Sequence, residues 1–266
     1  MKLNKIKYLA AAAALAVSGS AFAVVHSQQG NSSVIFSAYE SVSGYTYVWD
    51  TGFLKDDIDT GGAFPSFTYN LSADQNWTNF IAAAGPNVGD IRWAVVAGDT
   101  NSGSIDNDPI SYLSTGPLAG LPTGIEATRN AQFRNGTGPI SNYLNYLGAH
   151  LGFDESSAGQ SLLHLKEGPI DAASFEVALG QKWGPALTFN ITGLLGDTLG
   201  LYALEQDPTT NRNTGAILQT LIGNASVVDG VLTVSAIPEA DTWAMLLAGL
   251  GLVGTLARRR NGSRPV

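Results

Sequence analysis

The stretch Ala225-Ser-Val-Val-Asp-Gly-Val-Leu-Thr-Val-Ser235 is the strongest local structural signal in the chain. Two runs rich in β-branched residues flank the dipeptide Asp229-Gly230. An Asp-Gly dipeptide between two such runs is a strong short-range signal for a two-residue hairpin turn. The stretch therefore predicts that residues 225–228 and 231–235 pair as antiparallel strands.

Segments of the same kind recur along the chain. In residues 44–49 aromatic and polar side chains alternate, so that Tyr45, Tyr47 and Trp49 share one face of a strand. The linking segments are rich in Gly, Asn, Ser and Thr, which are residues of tight turns. Further strands are predicted at residues 33–39, 64–69, 91–97, 110–113, 174–179, 186–191 and 199–204. The chain is therefore predicted to be mainly β.

Three segments are predicted to be helical. Residues 73–84 follow Ser72, a residue type that caps helices, and stop at Gly85-Pro86. Residues 139–150 carry apolar side chains at every third or fourth position, and residues 125–133 form the third candidate. Together the elements predict one β-sandwich-like domain with helical insertions between the early and late strands.

The charge of the central region excludes some partners. Residues 24–236 contain seven basic and 20 acidic residues, a net charge of −13. Nucleic acid and anionic lipid are polyanions and do not attract such a domain. The chain contains no cysteine, so neither a disulfide framework nor a thiolate site is available.

The first 23 residues have the three parts of a secretory signal peptide. Lys2, Lys5 and Lys7 form a positive segment, and an apolar segment follows at residues 8–17. The sequence Ala21-Phe-Ala23 has the small-x-small pattern at which signal peptidase cuts. We therefore expect cleavage after Ala23.

The C-terminus contains a second apolar segment. Residues 243–257 carry no charge, and as a helix they would reach roughly 22 Å, somewhat less than the roughly 30 Å of a bilayer core. Long basic side chains can extend such a helix by snorkelling, and the cluster Arg258-Arg259-Arg260 is expected to remain cytoplasmic. The segment predicts a single transmembrane helix followed by a short cytoplasmic tail, residues 261–266. The alternative is a buried core helix.

The motif Pro238-Glu239-Ala240, the apolar segment and the arginine cluster together resemble the PEP-CTERM sorting signal. That signal combines a Pro-Glu-Pro motif, a hydrophobic helix and an Arg cluster, and Ala240 stands where a second Pro is usual. The resemblance over residues 237–260 implies recognition by an exosortase, a membrane-embedded transpeptidase-like enzyme of Gram-negative bacteria. It further implies an inner-membrane intermediate, cleavage near the motif, and transfer to the cell surface or the extracellular space. Members of the family often accompany exopolysaccharide and biofilm loci.

The sequence predicts no catalytic residue. It contains no Gly-x-Ser-x-Gly motif that would position a seryl nucleophile. His150, Asp154 and His164 are conceivable zinc ligands, but their spacing is not a recognised pattern, and ordinary surface or partly buried histidines are the alternative. A pair of Ser161 with His164 is a further, weaker candidate.

Two acidic clusters are candidate calcium sites, because calcium binds carboxylate and amide oxygens on loops. The stronger one contains Asp99, Asn101, Asp106 and Asp108, with Ile110 where an EF-hand loop would have its bidentate Glu. The other contains Asp56, Asp57 and Asp59. A solvated acidic loop is the alternative in both cases, and no other cofactor is predicted.

Two classes of function follow. The first is a non-enzymatic cell-surface or matrix protein associated with exopolysaccharide. Its aromatic side chains either stack on sugars or belong to the core, and they are Tyr45, Tyr47, Trp49, Trp77, Trp93 and Trp183. The second is a secreted polymer-degrading hydrolase with paired carboxylates, since 20 acidic residues offer many pairs and a sequence gives no distances. The absence of an assembled nucleophile, base or metal motif in the sequence favours the first.

Overall fold

The computed structural model describes residues 31–59, 66–99, 109–121, 132–133, 138–151, 159–169, 171, 174–178, 182–183, 187–207 and 217–236. The predicted signal peptide and residues 237–266 lie outside this set. The predicted domain limits at residues 23 and 236 therefore stay predictions.

The described part of the chain is mainly β, as predicted. The strands are β1 (Ser33–Tyr39), β2 (Tyr45–Leu54), β3 (Phe67–Asn70), β4 (Arg92–Asp99), β5 (Ser111–Pro117), β6 (Ser161–Leu165), β7 (Lys182–Trp183), β8 (Leu187–Asn190), β9 (Gly193–Leu194), β10 (Thr198–Gln206), β11 (Ile217–Val228) and β12 (Val231–Ala236). The helices are α1 (Lys55–Asp59), α2 (Gln75–Ala84), α3 (Gly138–Leu151) and α4 (Phe175–Ala178), with 3₁₀ turns at Leu71–Ala73 and Gly85–Asp90.

Ten of these strands form one antiparallel sheet. Its order is β3-β12-β11-β10-β5-β4-β1-β2-β6, with β9 paired to β4, while β7 and β8 pair separately. The hydrogen-bonded path is continuous, because β5 joins β4 to β10 and β12 joins β3 to β11. The prediction of a β-sandwich-like domain is therefore corrected to one large sheet with a separate two-stranded one.

The sheet is curled, which is how a single sheet can enclose a core. β3 stands at one end of the strand order and β2 is next to last, yet their aromatic side chains touch. The rings of Trp49 and Tyr69 stack with centroids 3.8 Å apart, and those of Phe53 and Phe67 stack at 5.0 Å. The curl gives the sheet a concave and a convex face.

The concave face holds a core of large aromatic side chains. Alternate residues of each strand point to the same face, so β1 directs Val34, Phe36 and Ala38 into this core. Helix α2 covers the core with its apolar side, formed by Trp77, Phe80 and Ala84. The largest members of the core are Phe36, Tyr47, Trp49, Trp77, Phe80 and Trp93.

The convex face is covered by α3 and α4. The predicted helix at residues 139–150 is confirmed as α3, and it buries Tyr143 and Leu147 against the sheet. The ring of Phe175 in α4 lies 5.3 Å from that of Tyr143 and 5.8 Å from that of Tyr39. Residues 174–178 are thus not the strand that was predicted for 174–179. A single helical turn there seats Phe175 between the two tyrosines.

The hairpin predicted from Asp229-Gly230 is confirmed. Asp229 has φ 50° and Gly230 has φ 72°, and positive φ at both central residues is the geometry of a type I′ turn. Val228 pairs with Val231 directly across the turn. The first strand extends back to Ile217, well beyond the predicted start at residue 225.

The helix predicted at residues 73–84 is also confirmed, but its cap is a different residue. Helix α2 begins at Gln75, and Asp74 is its N-cap, accepting a 2.7 Å hydrogen bond from the Asn76 amide at Oδ1. Ser72 instead lies in the preceding 3₁₀ turn, which Asn70 caps. Of the helix predicted at residues 125–133, only residues 132–133 lie within the described set.

Candidate functional sites

Asp74 lies where α2 meets the rim of the concave core. Its Oδ2 accepts hydrogen bonds from the Tyr47 hydroxyl at 2.9 Å and from the Tyr69 hydroxyl at 3.4 Å. Partial burial alone would raise the pKa of this carboxyl. The hydrogen bonds from Ser161, from Tyr47 and from backbone amides outweigh that effect and hold the pKa below its usual range. The arrangement keeps Asp74 ionised and joins a helix cap to two strands.

The same region ties α2 to β6. Asn76 Nδ2 donates to the Ser161 carbonyl at 3.0 Å and lies 2.9 Å from the Ser161 hydroxyl oxygen. Ser161 was a weak nucleophile candidate in the sequence. Its hydroxyl instead takes part in the network around Asp74 and Asn76.

His164 on β6 forms a close pair with a carboxylate. Its Nε2 lies 2.6 Å from Asp171 Oδ2, and the two side chains are only 12% and 6% exposed. The same carboxylate oxygen accepts the Glu167 amide at 2.8 Å. The sequence had grouped His164 with His150 and Asp154. Asp154 and the side chain of His150 lie outside the described residues. The partner that the structure gives to His164 is Asp171, seven positions along the chain.

An ion pair fixes the same loop. Lys166 Nζ lies 3.0 Å from Glu176 Oε2, which connects the end of β6 to α4. The amide of Phe175 in α4 donates to the Thr46 hydroxyl on β2 at 3.2 Å. An imidazole oriented by a carboxylate can serve as a general base, and it can equally hold a loop in place. The neighbouring contacts favour the second role.

Asp50 is the most unusual carboxyl in the described part of the chain. It lies on β2 and is fully buried. Its Oδ1 accepts the Gly52 amide at 2.8 Å, whereas Oδ2 makes no hydrogen bond of good geometry with any described residue. Burial raises the pKa of Asp50 to about 6, against the opposing effects of Gly52 and Ser33. A raised pKa suits a general acid, but a fully buried carboxyl cannot touch a polymer.

Sequence reasoning missed Asp50, although one signal was present. Asp50 continues the face of β2 that carries Thr46 and Val48, opposite the aromatic face. An acidic residue on the apolar side of an alternating strand is an uncommon placement. That signal indicates a buried carboxyl, but it gives no partner.

The calcium candidates are only partly within the described residues. Asp99 ends β4 and pairs with Ser111 of β5, while Asn101, Asp106 and Asp108 lie outside the described set. In the second cluster, Asp57 Oδ2 accepts the Leu54 amide at 3.0 Å and Asp56 pairs with Lys55 at 2.9 Å. The described residues form no group of three or more potential metal-binding side chains. The calcium site at residues 99–108 therefore stays a prediction.

Most of the aromatic residues weighed as sugar platforms belong to the concave core. Tyr47, Trp49, Trp77 and Trp93 are all buried there. The indole of Trp93 donates to the Leu194 carbonyl at 2.9 Å. Tyr45 is half-buried at the edge of this core, and the side chain of Trp183 is outside the described set. The buried rings stabilise the fold and do not present a free face to a glycan.

The described part of the chain ends on an interior strand of the sheet. β12 lies between β11 and β3, and its last residue, Ala236, donates its amide to the Ser66 hydroxyl at 3.1 Å. The sorting-motif residues Pro238, Glu239 and Ala240 and the arginines 258–260 follow outside the described set. So do Ala21 and Ala23 of the predicted signal-peptidase site. None of the helices within the described ranges has the length and apolar character that a membrane crossing requires.

Comparison with protein families matches residues 236–261 to the PEP-CTERM protein-sorting motif. No curated protein and no solved structure matches the chain. The motif implies that an exosortase processes the protein. It indicates export through the membrane to the cell surface or the extracellular space.

Proposed function

We propose that this chain is a non-enzymatic protein of the cell surface or extracellular matrix, associated with exopolysaccharide or biofilm. The observation that carries the proposal is the junction at Ala236. There the last strand of a β-sheet domain meets the sorting motif of residues 236–261. A sorting motif joined directly to such a domain makes the domain the exported cargo.

The proposed route uses both ends of the chain. Signal peptidase cuts after Ala23, and residues 243–257 cross the inner membrane transiently as a helix, with the arginines 258–260 in the cytoplasm. The exosortase then cuts near Pro238-Glu239 and releases the domain from its membrane segment. Signal peptidase and the exosortase are thus partners in export.

The contacts that the charged side chains make support a non-enzymatic role. Asp74 caps α2 and accepts two tyrosine hydroxyls, and the pair of His164 with Asp171 fixes the loop after β6. Asp50 is out of reach of any polymer. Asp74, His164 and Asp171 thus have structural tasks in the described part of the domain, and Asp50 is inaccessible.

The charge of the domain bears on the kind of polysaccharide. With a net charge of −13 over residues 24–236, the domain repels acidic polymers at low ionic strength. We therefore propose a neutral glycan, or an acidic one bridged by divalent cations. The loop with Asp99, Asn101, Asp106 and Asp108 is the proposed place for such a cation.

The alternative is a secreted hydrolase that uses two carboxylates. A retaining or inverting glycosidase needs two carboxyl groups about 5 to 9.5 Å apart on either side of the scissile bond. The acids of residues 99–108 and 154–155 supply the candidates, since the acids described above are engaged in local contacts.

The experiment compares processing of the full chain in a host that has its exosortase and in one that lacks it. Mass spectrometry of the surface and medium fractions should find no peptide beyond about residue 240 when the enzyme is present. The processed protein is then assayed for co-sedimentation with exopolysaccharide and for hydrolysis of polysaccharide, peptide and ester substrates. A surface protein that retains residues 243–257 would contradict the route. Turnover that is lost on replacing one acidic residue would replace the matrix role with the hydrolase.

A further inference from the structure

We propose that the free edge of β11 at Ile217–Ile222 is a docking site for residues 237–242 of the same chain, which carry the sorting motif. This inference depends on the position of the sorting motif directly after β12. It is independent of the proposed function as a matrix protein. Docking would place the motif on the folded domain before the processing enzyme takes it.

The site exists because β11 is longer than its neighbour β12. β11 pairs with β10 from Ile217 opposite Gln206 to Ser226 opposite Thr198. β12 covers only the part of β11 from Gly223 to Val228. Among the described residues, no strand pairs with Ile217–Ile222 on the side of β12. A row of backbone donors and acceptors is left there for another strand.

The residues of this edge lack the usual protection against strand addition. Natural edge strands commonly carry charges or proline, which discourage pairing with another chain. The edge reads Ile-Leu-Gln-Thr-Leu-Ile and has neither. Leu218 is 46% exposed and Leu221 is 38% exposed. The composition is that of a strand that receives a partner.

The motif segment is the occupant within reach. β12 runs antiparallel to β11, so a chain that continues past Ala236 in the direction of β12 travels along the open edge. The edge contains six residues, roughly 20 Å at about 3.4 Å per residue. Residues 237–242 can cover the same length, because the matched motif begins at residue 236 without any spacer.

The direction of the backbone groups fits the positions of the motif. The Ala236 amide points towards β3, where it bonds the Ser66 hydroxyl. Backbone groups of successive strand residues point to opposite sides. In a continued strand, the backbone N–H and C=O groups of Ile237 and Glu239 would point to β11. The backbone groups of Pro238 and Ala240 would point away from it. Proline has no amide donor, so Pro238 falls on the side of the strand where β11 requires none.

A test uses hydrogen exchange on the full chain, purified in detergent from a host that lacks the exosortase. The informative amides are those of residues 217–222 that point away from β10. In the unmodified chain we expect them to exchange slowly. In Ile237→Pro, which removes a donor facing β11, we expect them to exchange roughly tenfold faster, because about one to two backbone hydrogen bonds are lost. The matched variant Ala240→Pro adds a proline facing away and should change nothing.

Each of three results would overturn the proposal. Fast exchange of these amides in the unmodified chain would show that the edge is not covered, and this result needs no variant. Equal effects of Ile237→Pro and Ala240→Pro would contradict the assigned direction of the backbone. Protection that weakens on dilution would assign the edge to a second copy of the chain. None of these results affects the mass-spectrometric test of processing, so the two proposals fail separately.

Discussion

Two carboxyl groups of the domain occupy contrasting surroundings. Asp74, at the rim of the concave core, is half-buried and accepts hydrogen bonds from hydroxyls and amides, which keep its pKa below the usual range. Asp50, on the opposite side of the sheet, is fully buried with one firm donor, and its pKa rises to about 6. The charge of a buried carboxyl group is therefore set by the balance between its burial and the hydrogen-bond donors around it.

The two groups make opposite contributions to the dependence of stability on pH. A depressed pKa stabilises the fold above the ordinary pKa of aspartic acid, near 4, and this stability is lost as the pH falls through the folded value. A raised pKa stabilises the fold below pH 4, and this stability is lost as the pH rises through about 6. Asp74 therefore stabilises the domain at neutral pH, and Asp50 destabilises it there.

Removing the Asp74 carboxylate should change the stability of the domain the most. Asp74→Ala loses the cap of α2 and leaves the buried Tyr47 hydroxyl without its acceptor, so we expect a loss of about 3 kcal/mol in the free energy of unfolding. Asp74→Asn keeps a capping oxygen and should lose about 1 kcal/mol. Urea unfolding at pH 7 measures both variants. Equal losses would mean that the cap and the tyrosine contacts depend on the charge, because a neutral capping oxygen would then contribute nothing.

Neutralising Asp50 should have a smaller effect of the opposite sign. Asp50→Asn keeps an oxygen for the Gly52 amide and removes the buried charge. The rise in the pKa of Asp50 to about 6 corresponds to about 3 kcal/mol at pH 8. Burying the amide donor of the asparagine costs about 1 kcal/mol, so we expect about 2 kcal/mol of added stability. At pH 4 the variant and the unmodified chain should be nearly equal. A variant that is less stable at both pH values would show that the carboxyl makes a bond that an amide cannot replace.

The smallest expected loss of stability comes from removing the hydroxyl groups that donate to Asp74. Tyr47→Phe deletes the closer hydroxyl, at 2.9 Å, and should lose about 1 kcal/mol at pH 7. Tyr69→Phe deletes the more distant one, at 3.4 Å, and serves as the matched control with a smaller loss. The acid limb of the stability curve should move to higher pH in Tyr47→Phe, because the pKa of Asp74 rises when it loses a donor. An unmoved acid limb would remove Tyr47 from the causes of the depressed pKa.

Local patterns were sufficient for several elements of this fold. The Asp229-Gly230 turn, the strand Ser33–Tyr39 and the helix that ends before Gly85 depend on neighbours within a few residues, and all were predicted. The residue that caps α2, in contrast, depends on a contact with a distant part of the chain. Ser72 and Asp74 both suit an N-cap, and the contact of Asp74 with Tyr47, 27 positions earlier, lies outside any local pattern.

Long-range relations account for the remaining differences. The place of β3 beside β12 joins residues more than 160 positions apart, and no pattern within either strand specifies it. The pairing of His164 with Asp171 depends on the course of the loop after β6. The state of Asp50 depends on burial, which the sequence of β2 does not contain. The positions of most strands could therefore be predicted from the sequence. The order of the strands in the sheet and the partners of the charged side chains could not.

The interior position of β12 also sets an order of events in time. Among the described strands, β3 pairs only with β12, although about 160 residues separate the two strands along the chain. A chain that leaves the translocation channel from its N-terminus must hold Phe67–Asn70 unpaired until Val231–Ala236 emerges. Closing so long a loop is slow compared with local pairing. Completion of the sheet then coincides with emergence of the sorting motif, and until that moment the exported chain carries an unfinished domain that is prone to aggregation.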